Sequence, residues 1–312
     1  MTASLDSIPS RVSLVEVGPR DGLQNERVRL TTDQKVDLIH RLVDAGLRDV
    51  EVGSFVHPKW IPQMADTAEV LRRIRKVEGV RYWTLVPNQK GFEAAQAAGA
   101  RDIAVFLSSS ETHNQKNLNR TIGESLAGIR EIVALALADG MQVRGYISTV
   151  FGCPYEGRVS FDRVLETAGA LLEMGCRQVS LGDTTGMGTP FQVRAGAARA
   201  LERFGTERIA LHLHDTRGTG LANALAGLEV GVTTFDSSVG GMGGCPYAPG
   251  ASGNLGTEDL LYVLAEAGIE TGVDLEALLR ISGRLENDYG ATLNSRLFRY
   301  SQSGKSGTWK TL

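Results

Sequence analysis

Short apolar, β-branched runs alternate with longer amphipathic stretches along most of the chain, and few folds accept that alternation. Val12 to Val17, Asp49 to Gly53, Arg81 to Val86, Asp102 to Leu107, Gln142 to Thr149, Gln178 to Leu181, Ile209 to His214 and Thr233 to Asp236 read as eight strands. Thr31 or Thr32 caps a helix running to about Ala45. Further helical patterns cover Ile61 to Lys76, Gly91 to Ala98, Ile122 to Ala138, Phe161 to Met174, Pro190 to Phe204 and Gly218 to Glu229. Ala45-Gly46, Ala98-Gly99, Met174-Gly175 and Val230-Gly231 each place a glycine where a helix stops before the next strand. Eight βα units in 312 residues predict the α/β class and a (β/α)8 TIM barrel. A doubly wound sheet would have fewer strands and a glycine fingerprint after the first. Gly256 to Ala267 and Leu275 to Tyr289 read as additional C-terminal helices, and no Pro/Ser-rich linker interrupts the chain. The expectation is one catalytic domain over 1–312 with a helical extension from about 256.

Composition narrows the function classes. A net charge of -3 without a basic tract argues against a nucleic-acid partner. No apolar run reaches the ~18 residues of a membrane span, and Met1 to Ser10 lack an apolar signal core, so no membrane partner and a cytoplasmic location are expected. Cys153, Cys176 and Cys245 are an odd, widely spaced trio and are expected as reduced thiols. The glycine cluster at Gly240 to Gly244 lacks the Lys-Ser/Thr that completes a phosphate loop.

His212 and His214 stand two apart at the end of a strand pattern, so both imidazoles face one side, about 6.5 to 7 Å apart along the strand. A pair satisfied by backbone carbonyls is the plainer reading; a metal site is the sharper one. In a barrel, catalytic groups collect where strands end and βα loops begin. The first strand ends in Glu16-Val17-Gly18-Pro19-Arg20-Asp21, the second carries Glu51 and Ser54, and the eighth leads into the loop that ends in Asn254. Asp21, His212, His214 and Asn254 then supply a carboxylate, two imidazoles and an amide oxygen. That mixed O/N set suits one divalent cation, Mg2+ or Mn2+, better than structural zinc.

The stretches VEVGPRDGLQNE (Val15 to Glu26), SFVHPKWIPQMAD (Ser54 to Asp66), GCPYEG (Gly152 to Gly157), SLGDTTG (Ser180 to Gly186), HLHDT (His212 to Thr216) and GGCPYAPGASGN (Gly243 to Asn254) resemble, in one order, the 3-hydroxy-3-methylglutaryl-CoA lyase family. The resemblance spans about Val12 to Gly290. It implies a metal-dependent TIM barrel, an acyl-CoA substrate, a homodimer, and cleavage of 3-hydroxy-3-methylglutaryl-CoA to acetyl-CoA and acetoacetate. It implies Arg20 as the cation facing the developing enolate, in place of a mere ion pair with Glu16 or Glu51. Cys245 is implied as the acid that protonates the enolate carbon, with His212 or Glu51 handling the hydroxyl proton. Gln24, Ser54 and Thr184 are candidate contacts for the acyl group or a metal water, with ordinary loop hydrogen bonding as the plainer reading, and Lys116 and Asn117, in the loop Ser108 to Arg120, are candidate coenzyme contacts.

Arg217 stands where many members of that family carry tyrosine, which opens the alternative of a lyase for another 3-hydroxyacyl-CoA, such as citramalyl-CoA or a longer 3-hydroxyglutaryl-CoA. A Claisen-type synthase acting on acetyl-CoA and a 2-oxo acid is disfavoured by Leu23, where such enzymes carry glutamate. A metal-dependent hydrolase would need histidines that His40, His57 and His113 do not supply. A non-catalytic acyl-CoA-binding protein would make Arg20 and Cys245 dispensable.

Overall fold

The computed structural model describes residues 8–245 and 248–303, with backbone alone at 245 and 248–251. Eight parallel strands close into a barrel in sequence order: β1 (Ser13–Glu16), β2 (Asp49–Ser54), β3 (Arg81–Leu85), β4 (Asp102–Ser108), β5 (Gln142–Ser148), β6 (Gln178–Asp183), β7 (Ile209–Leu213) and β8 (Thr234–Ser237). Pairing of Ser13 with Thr234 through Glu16 with Ser237 shuts the ring. The strands are buried along nearly their whole length, with apolar residues interleaved with a few polar ones.

Helices α1 (Thr32–Asp44), α2 (Thr67–Arg73), α3 (Gln89–Ala97), α4 (Glu111–Leu118), α5 (Ile122–Ala138), α6 (Phe161–Met174), α7 (Pro190–Phe204) and α8 (Gly220–Leu228) surround it. Thr31, Thr121 and Thr189 start α1, α5 and α7 with reciprocal caps, each hydroxyl accepting from the N–H three residues on while Gln34, Glu124 or Gln192 reaches back. Gly46 stops α1 with φ +106, and a side chain there would meet the carbonyl oxygen of Gly272. After β8, a short antiparallel hairpin, β9 (Gly244–Cys245) and β10 (Ala248–Ser252), precedes α9 (Thr257–Glu266), α10 (Leu275–Asn287) and α11 (Arg296–Ser301). α9 packs beside α8, and α10 lies against both α9 and α1.

Three local expectations are corrected. The pattern Ile61 to Lys76 is a 3-10 turn, Pro62–Met64, followed by the shorter α2. Its first half is tied elsewhere: the Gln63 amide donates to the Glu26 and Val28 carbonyls, and Lys35 Nζ bonds the Gln63 carbonyl. Residues 108–120, expected as a loop, contain α4, capped by the Ser110 hydroxyl. α11 adds a third helix after β10 that no apolar periodicity announced.

Candidate active site

The site begins with a wide turn. After β1, the N–H groups of Arg20, Asp21 and Gly22 all converge on the Val17 carbonyl, and the buried Glu16 Oε1 accepts from both Gly18 N and Val239 N at 2.8 Å. That π-type turn swings Arg20 and Asp21 into the mouth of the barrel. Glu16 thus braces the turn and makes no pair with Arg20. The partner is Glu51, whose Oε2 accepts from Arg20 Nε at 2.7 Å and lies 2.6 Å from Nη2. Arg20 Nη1 donates to Asp21 Oδ1. A guanidinium has five N–H groups, so two remain after these bonds, one on each Nη.

β7 delivers His212 on its last turn of pleat, and His214 follows just past the strand, bridged to Asn254. The two Nε2 atoms face one another at 3.2 Å, and His212 Nε2 lies 3.9 Å from Asp21 Oδ2. One donor atom from each of Asp21, His212 and His214 falls within 4.8 Å of the others. Asn254 joins them through Nδ2, which donates to Asp21 Oδ2 at 2.8 Å, while its Oδ1 is buried without a hydrogen bond. A half-turn of that amide exchanges the two ends. Gly243, at φ +110, lies so close to this amide that a side chain there would strike Nδ2. Two nitrogens facing each other beside a carboxylate, with an unpaired amide oxygen alongside, is a donor set that fits a hard or borderline divalent cation.

Electrostatics agree with that fit. Burial pushes the Asp21 carboxyl up, but Arg20 and the two imidazoles outweigh it and hold the group well below the usual carboxylate range. Burial and the neighbouring His212 bring His214 down to about 3, so its ring is neutral at pH 7. For His212, burial works downward, yet the bond to Asp236 and the charges of Asp236 and Asp21 leave it raised. Burial raises Glu51 despite Arg20, and its Oε1 is buried without a partner.

A cavity of about 460 Å3 opens beside these groups. Arg20, Asp21, Gln24, Thr184, His212, His214 and Asn117 all line it. Glu51 and Asn254 do not line it and are bonded to Arg20 and Asp21, which do. Ser54 does not reach it: its hydroxyl accepts from Val56 N, an ordinary loop bond. Lys116 is also absent from the lining and sits over the Tyr155 ring at 4.8 Å; Arg120, four residues on, lines the mouth in its place. Arg217 is exposed, donates to the Thr185 carbonyl and does not line the cavity, so its charge does not face that space and gives no support to the alternative substrates. The Cys245 side chain lies outside the described residues; the backbone places its hairpin beside Gly244, which lines the cavity.

Sequence reasoning passed over Asp236, Arg144, Tyr146 and Ser180. Asp236 pairs in register with His212, and its carboxylate joins Arg144 Nη2 at 2.6 Å, Ser180 Oγ at 2.8 Å and His212 Nδ1 at 3.2 Å. Arg144 Nη1 donates to the Tyr146 hydroxyl at 2.6 Å. The available signal was an acid and an arginine at inward positions of strands that are otherwise apolar or small.

Comparison with known proteins follows the same lines. Hydroxymethylglutaryl-CoA lyase of Bos taurus is 51% identical over 296 residues, covering 95% of this chain and 91% of that protein. The crystal structure of hydroxymethylglutaryl-CoA lyase from Pseudomonas aeruginosa superimposes with a TM-score of 0.93 at 47% identity, over 96% of this chain and 99% of that one. An HMG-CoA lyase from Acinetobacter baumannii, solved in complex with coenzyme A and 3-methylmalate, matches with a TM-score of 0.90 at 42% identity, over 99% and 98% of the two chains. The HMGL-like family model covers residues 11–284, and with such relatives along nearly its whole length the chain belongs to that family.

Proposed function

We propose that this chain cleaves 3-hydroxy-3-methylglutaryl-CoA to acetyl-CoA and acetoacetate with one divalent cation, Mg2+ or Mn2+, held by Asp21, His212, His214 and Asn254. The observation that carries the reading is the meeting of Arg20 with the Asp21–His212–His214 cluster in one cavity. The bovine relative bears the name of that activity, and the Acinetobacter relative holds coenzyme A. A bound cation supplies Lewis-acid stabilisation of negative charge on the C3 oxygen and fixes its orientation.

The chain's residues do the rest. The C3 hydroxyl loses its proton as the C2–C3 bond breaks; C3 becomes a ketone carbon, and the bonding pair moves to C2 and the thioester oxygen. Arg20, with two N–H groups left, meets that oxygen with a fixed charge in a low-dielectric pocket. His212 has Nδ1 committed to Asp236 and Nε2 turned to the ligand cluster, so the hydroxyl proton is assigned to Glu51, whose Oε1 is buried and unpartnered off the cavity wall and is reached through one bridging water. Glu51 Oε2 meanwhile holds Arg20 in place. Cys245 then donates its thiol proton to C2, from a hairpin able to cover the mouth and exclude water. Gln24 and Thr184 are assigned to the acyl group, and Asn117, with Arg120, to the coenzyme at the rim. Lys116 is assigned there only if its side chain leaves Tyr155. A homodimer is the assembly this reading carries.

The deciding experiment measures acetyl-CoA and acetoacetate released from 3-hydroxy-3-methylglutaryl-CoA, with and without Mg2+ or Mn2+, beside citramalyl-CoA and 3-hydroxyglutaryl-CoA. One-to-one products that require metal are expected, with the methylglutaryl thioester the best substrate. No metal-stimulated cleavage would reject the lyase reading.

A further inference from the structure

We propose that Asp236 is the positioning residue of the metal centre: it holds His212 as the tautomer protonated on Nδ1, so that Nε2 presents a bare lone pair to the cluster. The inference rests on the reading of Asp21, His212 and His214 as metal ligands, and adds how one of them is preset.

Asp236 does not line the cavity and is 2% exposed. Its position follows from the sheet, because Asp236 and His212 are register partners across β7 and β8. Each oxygen has an assigned partner. Oδ1 faces Arg144 Nη2 at 2.6 Å, and Arg144 is itself 1% exposed and can only donate. Oδ2 receives the Ser180 hydroxyl at 2.8 Å and faces His212 Nδ1 at 3.2 Å. An ionised carboxylate only accepts, so the proton of the last contact sits on Nδ1. A neutral imidazole carrying that proton has its lone pair on Nε2, the atom 3.2 Å from His214 Nε2 and 3.9 Å from Asp21 Oδ2. His214 has no such brace, since its Nδ1 is buried without a hydrogen bond. The two histidines are therefore inequivalent: His212 is set before the cation arrives, and His214 is oriented by the cation itself.

Asp236→Asn separates this role from simple packing. Arg144 cannot accept, so the asparagine oxygen must take the Oδ1 place, which puts its NH2 against His212 Nδ1 and Ser180 Oγ. His212 Nδ1 must then accept, and the proton moves to Nε2, where the cation belongs. The same exchange in a catalytic triad produces the wrong tautomer.

The test is 15N-histidine NMR of the metal-free protein at alkaline pH, reading the two-bond couplings that distinguish the tautomers, with His212 assigned by its loss in His212→Gln. Mn2+ affinity is measured in parallel by titration calorimetry. Expected are the Nδ1–H tautomer in the parent protein, the Nε2–H tautomer in Asp236→Asn, and Mn2+ binding weakened about 10–100-fold in the variant. An Nε2–H His212 in the parent protein overturns the proposal, and that reading decides even if Asp236→Asn fails to fold. Unchanged Mn2+ affinity in a folded Asp236→Asn also overturns it. Asp21→Ala serves as the control: if it too leaves Mn2+ affinity unchanged, the ligand assignment has failed, whereas a loss there with none in Asp236→Asn defeats this proposal alone.

Discussion

Arg20 makes three charge-assisted bonds inside the barrel, and each one orders a guanidinium that would otherwise sample many rotamers. The ion pair with Glu51, which the sequence offered as the alternative to a catalytic role, holds the guanidinium at the cavity wall and so serves the role proposed for it. Replacing Arg20 by Gln keeps a donor but removes the fixed charge. We expect kcat to fall about 100 to 1,000-fold or more with Mn2+ affinity within a few-fold of the parent, checked by steady-state kinetics beside calorimetry. Cys245→Ala should behave likewise; a loss of metal affinity with turnover retained would reverse both assignments. At this scale the convergence of His212 and His214 was legible because His-x-His on a strand converts spacing directly into direction. Ser54 and Lys116 misled for a different reason: a polar residue near a strand end satisfies local backbone, or stacks on a neighbouring ring, as readily as it meets substrate. Asp236 was not legible, because its partner Arg144 lies 92 residues away and only barrel closure brings them together.

The segment between β8 and α9 is braced by two buried carboxyl groups. Glu16 Oε1 accepts from Val239 N, and both Glu258 oxygens lie 2.9 Å from Gly240 N, with Glu258 also bonded to the Ser282 hydroxyl. Burial pushes Glu16 up to about 7 and Glu258 up to about 8, partly opposed by these hydrogen bonds. A carboxyl whose folded pKa lies above its unfolded value favours the folded state fully below about 4.5, and loses that contribution as pH rises through the folded value. Stability should therefore decline between about pH 5 and pH 8, each group adding a slope of up to about 1.4 kcal/mol per pH unit. Glu258→Gln keeps a neutral side chain at every pH. Its urea midpoint should vary less than the parent's over this window and exceed it near pH 9; parallel curves would show that Glu258 ionises without cost. Elements with a strong apolar period, such as α5, α6 and α7, were legible to within a residue, because burial of one face dictates them. α4 was not, since Glu111–Leu118 is polar and is made a helix by the Ser110 cap and its seat on β4, and α2 was overextended because Lys35 takes the Gln63 carbonyl while the Gln63 side chain is tied to the backbone at Glu26 and Val28.

Across the whole molecule, the ligand cluster coincides with the seam where the barrel shuts. Asp21 comes from the turn after β1, His212 and His214 from the end of β7, and Asn254 from beyond β8, while β8 hydrogen-bonds to both β1 and β7. A cation held there ties Asp21 to His212, 191 residues further on, and to Asn254, 233 further on, positions that are far apart in an unfolded chain. Since a site assembled from so many distant positions exists only in the folded state, binding adds RT ln(1 + [L]/Kd) to stability, about 2.7 kcal/mol at one hundred times Kd. For a chain of this length that corresponds to a rise in Tm on the order of 5 °C. The expected measurement is a Tm that climbs with the logarithm of Mn2+ concentration above Kd and returns on adding EDTA, with the climb lost in Asp21→Ala. Calcium is the discriminating control, because its longer bonds and larger oxygen shell suit two imidazoles poorly and should give a smaller rise at equal concentration. A Tm indifferent to Mn2+ would mean that the seam holds by strand pairing alone, and that these four side chains are a polar cluster closing a barrel and no metal centre.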